Sequence, residues 1–174
     1  MIGVIALLAA VPFAPCTTSA QPSEDAVKAA FLPKFAHYVA WPAAAVPAGD
    51  APFVLCIMGP DPFGRLIDAA AASESIDGRP LAVRRLGASD NGAGCQMAYL
   101  SGGERQVAQE IAALGRQPTL TVTDARAGNA HGIIHFVLSG GRVRFLIDDA
   151  TAAERGIAIN SRLLALAISV KQRP

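Results

Sequence analysis

The sequence is poor in charge. Asp, Glu, Lys and Arg make up 17% of its 174 residues, below the globular norm, and the net charge is +1. No basic field attracts nucleic acid, and no acidic field attracts cations. Histidine and cysteine are scarce, at three residues each. There is no internal repeat and no low-complexity segment. The G-x-S-x-G elbow of a serine hydrolase is missing. "NGAG" and "SGG" are turns, and neither is followed by the G-K-[ST] of a phosphate loop. No cofactor is implied. With 52% hydrophobic residues, the chain can bury one sizeable core.

The first twenty residues, "MIGVIALLAAVPFAPCTTSA", contain no charged side chain. The apolar run Ile2–Ala10 is too short to span a bilayer. Small residues follow, ending in Thr18-Ser19-Ala20. This reads as a secretory signal peptide over 1–20, leaving one domain over 21–174 and a periplasmic location. After its removal two cysteines remain, Cys56 and Cys95. An exported chain with one pair is expected to join them. Closing that loop stabilises the fold by roughly 3–4 kcal/mol in the chain-entropy account.

Ser23-Glu24-Asp25 predicts a helix start, with a cap and two acids in the first turn. The helix is expected to run to about Tyr38, with a kink or break at Pro33, and the element to end at Trp41-Pro42. Phe31, Phe35 and Tyr38 recur at helical spacing. "PFVLCIMG" is a continuous apolar run, as in a strand buried on both faces. Asp61 and Pro62 suggest a second helix to about Ala72. "RPLAVRRL", "CQMAYLS" and "PTLTVTD" read as strands, and "GGERQVAQEIAALG" as a helix stopped by Gly115. "HGIIHFVLSGGRVRFLID" reads as a hairpin with a polar and a packed side. "DATAAERG" is a short helix, and "NSRLLALAISV" a final one. The pattern predicts a three-layer α/β sandwich with a mostly parallel sheet and an antiparallel C-terminal hairpin. The link of about nine residues between the second and third strands is short for a helical crossover, so their relative direction stays open.

Few residues stand out as chemical candidates. His131 and His135 on one strand would lie about 13 Å apart, too far to share a metal, so no metal site is expected. Asp61 and Asp124 stand after predicted parallel strands, where open α/β sheets bind ligands. They could take a cation or an amine, or be a helix cap and a turn former. Arg142 and Arg144 could meet an anionic ligand or an acidic partner, or form a solvated edge that blocks unwanted pairing.

The pieces "KAAFLPKFAHYVAWP", "FVLCIMGPDPFGRLI", "GRPLAVRRL", "CQMAYLS", "PTLTVTD", "GIIHFVLSGGRVRFLID" and "GIAINSRLLALA" stand in the order of the YfiR family of small exported proteins, which the chain resembles over nearly its whole mature length. Three features depart from the family pattern. The hairpin ends in Asp148 in place of asparagine, it opens with His131-Gly132 in place of two glycines, and there is no second cysteine pair. The resemblance implies a periplasmic regulator and not an enzyme, one that holds a membrane-bound diguanylate cyclase inactive by binding its periplasmic domain. The same domain also occurs fused to sensor kinases, so the resemblance allows a sensor kinase periplasmic domain as the receptor. The competing function is a solute-binding or sensor module with a pocket at the C-terminal end of the sheet. Tyr38, Trp41, Arg142 and Arg144 are candidate contacts for a receptor or for a homodimer. The aromatic helix lacks the lysine-rich polar face of a membrane binder, so no direct insertion is expected.

Overall fold

The computed structural model describes residues 21–87 and 90–173. The signal-peptide reading falls outside the described residues. Helix α1 (Glu24–Phe35) starts as expected: the Ser23 hydroxyl accepts from the Ala26 N–H. Pro33 does not break it. The helix runs on to Phe35 and then tightens into a 3-10 turn over Ala36–Tyr38. Leu32, Pro33, Phe35 and Ala36 are all buried, and that packing outweighs the one backbone bond a proline forfeits. Regular structure ends before Trp41-Pro42, as expected. Ahead of that pair the chain makes strand β1 (Val39–Ala40).

The central strand is β2 (Phe53–Met58). Helix α2 (Arg65–Ala72) begins later than Asp61 suggests, because the Asp61 carboxylate accepts the N–H groups of Phe63 and Gly64 and holds a turn ahead of the helix. Strands β3 (Ser75–Ile76), β4 (Arg79–Leu86) and β5 (Met97–Leu100) follow. Helix α3 (Glu104–Leu114) leads to β6 (Leu120–Asp124). The hairpin β7 (Ile134–Ser139) and β8 (Arg142–Asp148) turns at Gly140-Gly141. Helix α4 (Asp149–Glu154), strand β9 (Ala158–Ile159) and helix α5 (Ser161–Leu164) come next. The expected final helix is one turn long. "ISVK" leaves it as strand β10 (Ser169–Lys171), which pairs parallel to β8. Its β-branched Ile168 and Val170 favour extended backbone.

The large sheet has the order β10-β8-β7-β6-β5-β2-β4-β3, mostly parallel with the antiparallel hairpin, and β1 with β9 forms a second, two-stranded sheet. This is the expected α/β class. The open question of strand direction is answered: β4 and β5 both run parallel to β2, one on each side of it. Among its described residues, the return from β4 to β5 has no helix. Instead, Cys95 on that link is bonded to Cys56 on β2, with Cα atoms 5.8 Å apart.

Side chains alternate between the two faces of the sheet. One face carries the larger core, built from Phe53, Leu55, Ile57, Val122, Ile134, Phe136 and Phe145 under Leu32 and Phe35 of α1 and Ile67 and Ala71 of α2. The opposite face carries Cys56, Met58, Ala98 and Leu100 under Val107 and Leu114 of α3. Among the described residues no helix is long and apolar enough to cross a membrane.

Candidate functional site

Of the two readings of Asp124, the structure shows the turn former, its carboxylate capping the 3-10 turn Ala125–Ala127, and the amine it meets belongs to the chain itself. Asp124 ends β6 and is 1% exposed. Lys28 of α1, itself 2% exposed, places Nζ 2.6 Å from Asp124 Oδ2. The Tyr99 hydroxyl donates to the same oxygen at 2.9 Å, and the Arg126 N–H donates to Oδ1 at 3.0 Å. Glu24 also pairs with Lys28, and Asp25 with Arg126. Burial would raise the Asp124 carboxyl, but the Lys28 and Tyr99 hydrogen bonds overcome it and hold the group below the usual carboxylate range. Burial, and then Asp124, push the Tyr99 phenol far above its ordinary value, so it stays a donor. The network fastens α1 to the end of the sheet.

Asp61 is likewise engaged. Besides its two turn N–H groups it accepts from Arg85 Nε at 2.8 Å, while the same guanidinium grips Asp68 through both oxygens. Neither Asp61 nor Asp124 lines any of the cavities described below. Between the ends of β2 and β5, where a doubly wound sheet has its ligand crevice, the chain closes on itself. A Cβ on Gly59 would come within 2.0 Å of the Ser101 carbonyl.

Trp41 is half-buried. Its Nε1 donates to the Gln96 carbonyl at 3.0 Å, and its ring meets Phe53 edge-on at 5.3 Å. Tyr38 lines a shallow cleft of about 280 Å³ with Val39, Ala158 and Ile159. Phe31 and Phe35 pack on Phe136 and Phe145. Arg142 and Arg144 stand elsewhere, on the hairpin. Arg142 lies beside Gln21, Pro22 and Glu24 near the start of α1, whereas Tyr38 follows its end. The aromatic and the arginine candidates are therefore separated by the length of the helix.

The histidine spacing is corrected by the structure. His131 and His135 are not 13 Å apart; their rings stack at 3.7 Å. Residues 131–133 precede β7, and the backbone there hugs β6: a Cβ on Gly132 would come 2.7 Å from the Thr121 carbonyl. The Gly132 and Ile133 N–H groups donate to the hydroxyls of Thr123 and Thr121. The turn brings His131 back over His135. No cluster of three or more metal-ligating side chains occurs among the described residues.

His135 is 4% exposed, and burial, helped by His131, lowers its imidazolium to about 4. It is neutral at physiological pH. Thr123 Oγ1 already accepts from Gly132 and lies 2.8 Å from His135 Nδ1. The hydroxyl hydrogen meets no other acceptor among the described residues, so it goes to Nδ1, which leaves the ring hydrogen on Nε2. His135 lines a cleft of about 180 Å³ with His131, Leu146, Asp148, Ser169 and Lys171.

The cleft opens on a larger feature. Register places Val137 beside Arg144, and His135 beside Leu146 beside Ser169, on the α3 face of the sheet. The α3 core stops at β6. Val137 and Leu146 join neither core cluster, and Arg142 and Arg144 are exposed, with no ion pair among the described residues. Among the described residues, nothing covers this half of the face.

Sequence reasoning put Arg142 and Arg144 on the polar side of the hairpin, weighed His135 only as a metal ligand, and gave no role to Lys28 or Lys171. Lys28 stands at i, i+4, i+7 with Leu32 and Phe35, so a lysine on the buried stripe was a readable sign of a buried partner.

Comparison with known proteins yields a match to the YfiR/HmsC-like family over residues 25–168, from the first turn of α1 to the approach of β10. No individual curated protein matches the chain. A match over so much of the length shows that the chain belongs to the YfiR/HmsC-like family, and with it comes a periplasmic, regulatory and non-catalytic role in general.

Proposed function

We propose that the protein binds and represses the periplasmic domain of a membrane-bound diguanylate cyclase, and so lowers cyclic di-GMP signalling. The observation that carries this reading is the bare half-face bearing Arg142 and Arg144. Lys28, Asp124 and Asp61 have charged partners within the chain, while these two have none among the described residues and stand on a sheet face whose other half is covered. Repression needs the receptor's inactive state to be bound more tightly than its active one. Moving a two-state switch almost fully takes roughly 5 kcal/mol of differential affinity. An interface of standard size with a few arginine anchors supplies that.

The test is genetic and direct. Deleting the gene should raise cellular cyclic di-GMP, and an exported wild-type copy should restore it. A copy with Arg142→Ala and Arg144→Ala should not, although it reaches the periplasm folded. Unchanged cyclic di-GMP on deletion, in every growth condition tried, would defeat the repressor reading.

A further inference from the structure

An α/β sheet normally covers both faces with helices. Here, among the described residues, the hairpin and β10 lack that layer on the α3 face. The bare half has a definite chemistry. Val137 and Leu146 are half-buried, and Arg142, Arg144 and Lys171 surround them. Its one carboxylate, Asp148, is already paired with Lys171 at 2.9 Å. Beside Leu146 lies the 180 Å³ cleft, with His135 in its wall. Thr123 occupies His135 Nδ1, and Nε2 makes no hydrogen bond among the described residues.

We propose that this bare half-face docks an acidic amphipathic helix of the partner protein, which supplies the missing layer and sets one carboxylate side chain in the cleft against His135 Nε2–H. An apolar stripe on such a helix would cover Val137 and Leu146. Acids flanking the stripe would meet Arg142 and Arg144, whose planar guanidinium groups grip carboxylates through two parallel hydrogen bonds. Charge decides the kind of occupant: Arg144 and Lys171 stand on this half-face, Arg142 stands at its rim where it also shares a cleft with Glu24, and the carboxylate of Asp148 is already paired. The cleft has room for one carboxylate side chain, and a neutral imidazole N–H is a donor that such a group can accept from without desolvating a second charge. The inference rests on the receptor-binding reading and specifies the segment bound.

The experiment is site-directed photo-crosslinking in the exported full-length protein. A benzoylphenylalanine replaces Val137 or Leu146 on the bare face, and Leu66, exposed on α2, serves as the control position. Positions 137 and 146 should each crosslink at least about tenfold more than position 66. The captured peptide should be one helical segment with an excess of Asp and Glu, and adding Arg144→Glu should suppress the yield. A synthetic peptide of that segment should shift the His135 Nε2 resonance, and its version with Gln for Glu should not. Several results would overturn the proposal: no crosslink at 137 and 146, equal yield at 66, capture of a second copy of this chain, or a captured peptide without acidic excess. The two readings fail separately. An acidic helix from a protein with no cyclase domain keeps the docking and removes the repressor function. A non-acidic segment of a cyclase does the reverse.

Discussion

Two clusters of charge sit on opposite sides of the same sheet and behave in opposite ways. Around Asp124 every charge is paired: Lys28, Glu24, Arg126 and Asp25 interlock, and Tyr99 completes the set. On the bare half of the other face Arg142 and Arg144 pair with nothing among the described residues. Burial explains the first arrangement, because a charge removed from water survives only with a partner. Exposure permits the second, since water solvates the guanidinium groups at no cost. Paired, buried charge is therefore tied to stability here, and free, exposed charge is available for recognition. Substitutions can separate the two.

The largest expected effect is at the buried cluster. Lys28→Ala strips Asp124 of its buried cation and leaves only the more exposed Arg126, 3.2 Å away, so the fold should lose up to about 3–5 kcal/mol. Urea unfolding followed by circular dichroism measures this. The double change Lys28→Met with Asp124→Asn should cost clearly less than Lys28→Ala, because no unpaired charge remains. Equal losses would mean that the lysine acts through its packed stem alone.

Nearly as large is the disulfide. The half of the α3 face that is covered depends on a helix-free return from β4 to β5, and Cys56–Cys95 pins that return to the central strand. Replacing both cysteines by alanine should cost roughly 3–4 kcal/mol. Amide exchange should then rise over residues 90–96 more than over the hairpin. Uniform loosening would contradict a local staple.

Third comes a pH effect at the boundary between the covered and bare halves. His135 is held neutral, with its pKa lowered from 6.5 to about 4. The unfolded state binds the proton more readily, so this contribution is fully present above pH 6.5. It fades as pH falls, and is gone once pH passes below about 4. The loss is at most about 3 kcal/mol. The Asp124 and Asp148 carboxyls add their own losses lower down. Burial opposes their ionisation, but hydrogen bonds from Lys28 and Tyr99 to the one, and from Thr151 and Lys171 to the other, keep both below the usual range. His135→Gln should flatten the stability profile between pH 4 and pH 6.5 and leave the acid limb in place.

Local signals were read well, and long-range ones were not. The apolar run of β2, the periodic face of α3 with Gly115 as its stop, and the Gly140-Gly141 hairpin are all encoded within a few residues. So was the polar side of β8, since Arg142, Arg144 and Leu146 alternate with buried partners. The histidine error came from extending a strand three residues too far, past a glycine that packs against Thr121. The missed strand β10 came from following hydrophobic residues after Asn160 as helix, without weighing Ile168 and Val170. Lys28 and Asp124 are 96 positions apart, and a single sequence gives no signal that joins them. The bare half-face is a property of layers and was invisible for the same reason: only the assembled sheet reveals which strands α3 fails to cover.

The smallest expected effect on stability is the most informative about function. Arg142→Ala and Arg144→Ala remove exposed side chains that make no internal ion pair, so each should change stability by no more than about 0.5 kcal/mol. The same two changes should weaken receptor binding by far more, because an arginine buried at an interface core often costs about 2 kcal/mol or more when truncated. Lys28→Met with Asp124→Asn should show the inverse pattern, lower stability with unaltered affinity for the receptor at a temperature where the fold holds. Binding measured on the purified, folded variants separates the two patterns. If the arginine variants keep full affinity, the bare half-face is only a solvated surface, and the contact must lie at Tyr38 and its cleft beyond the far end of α1.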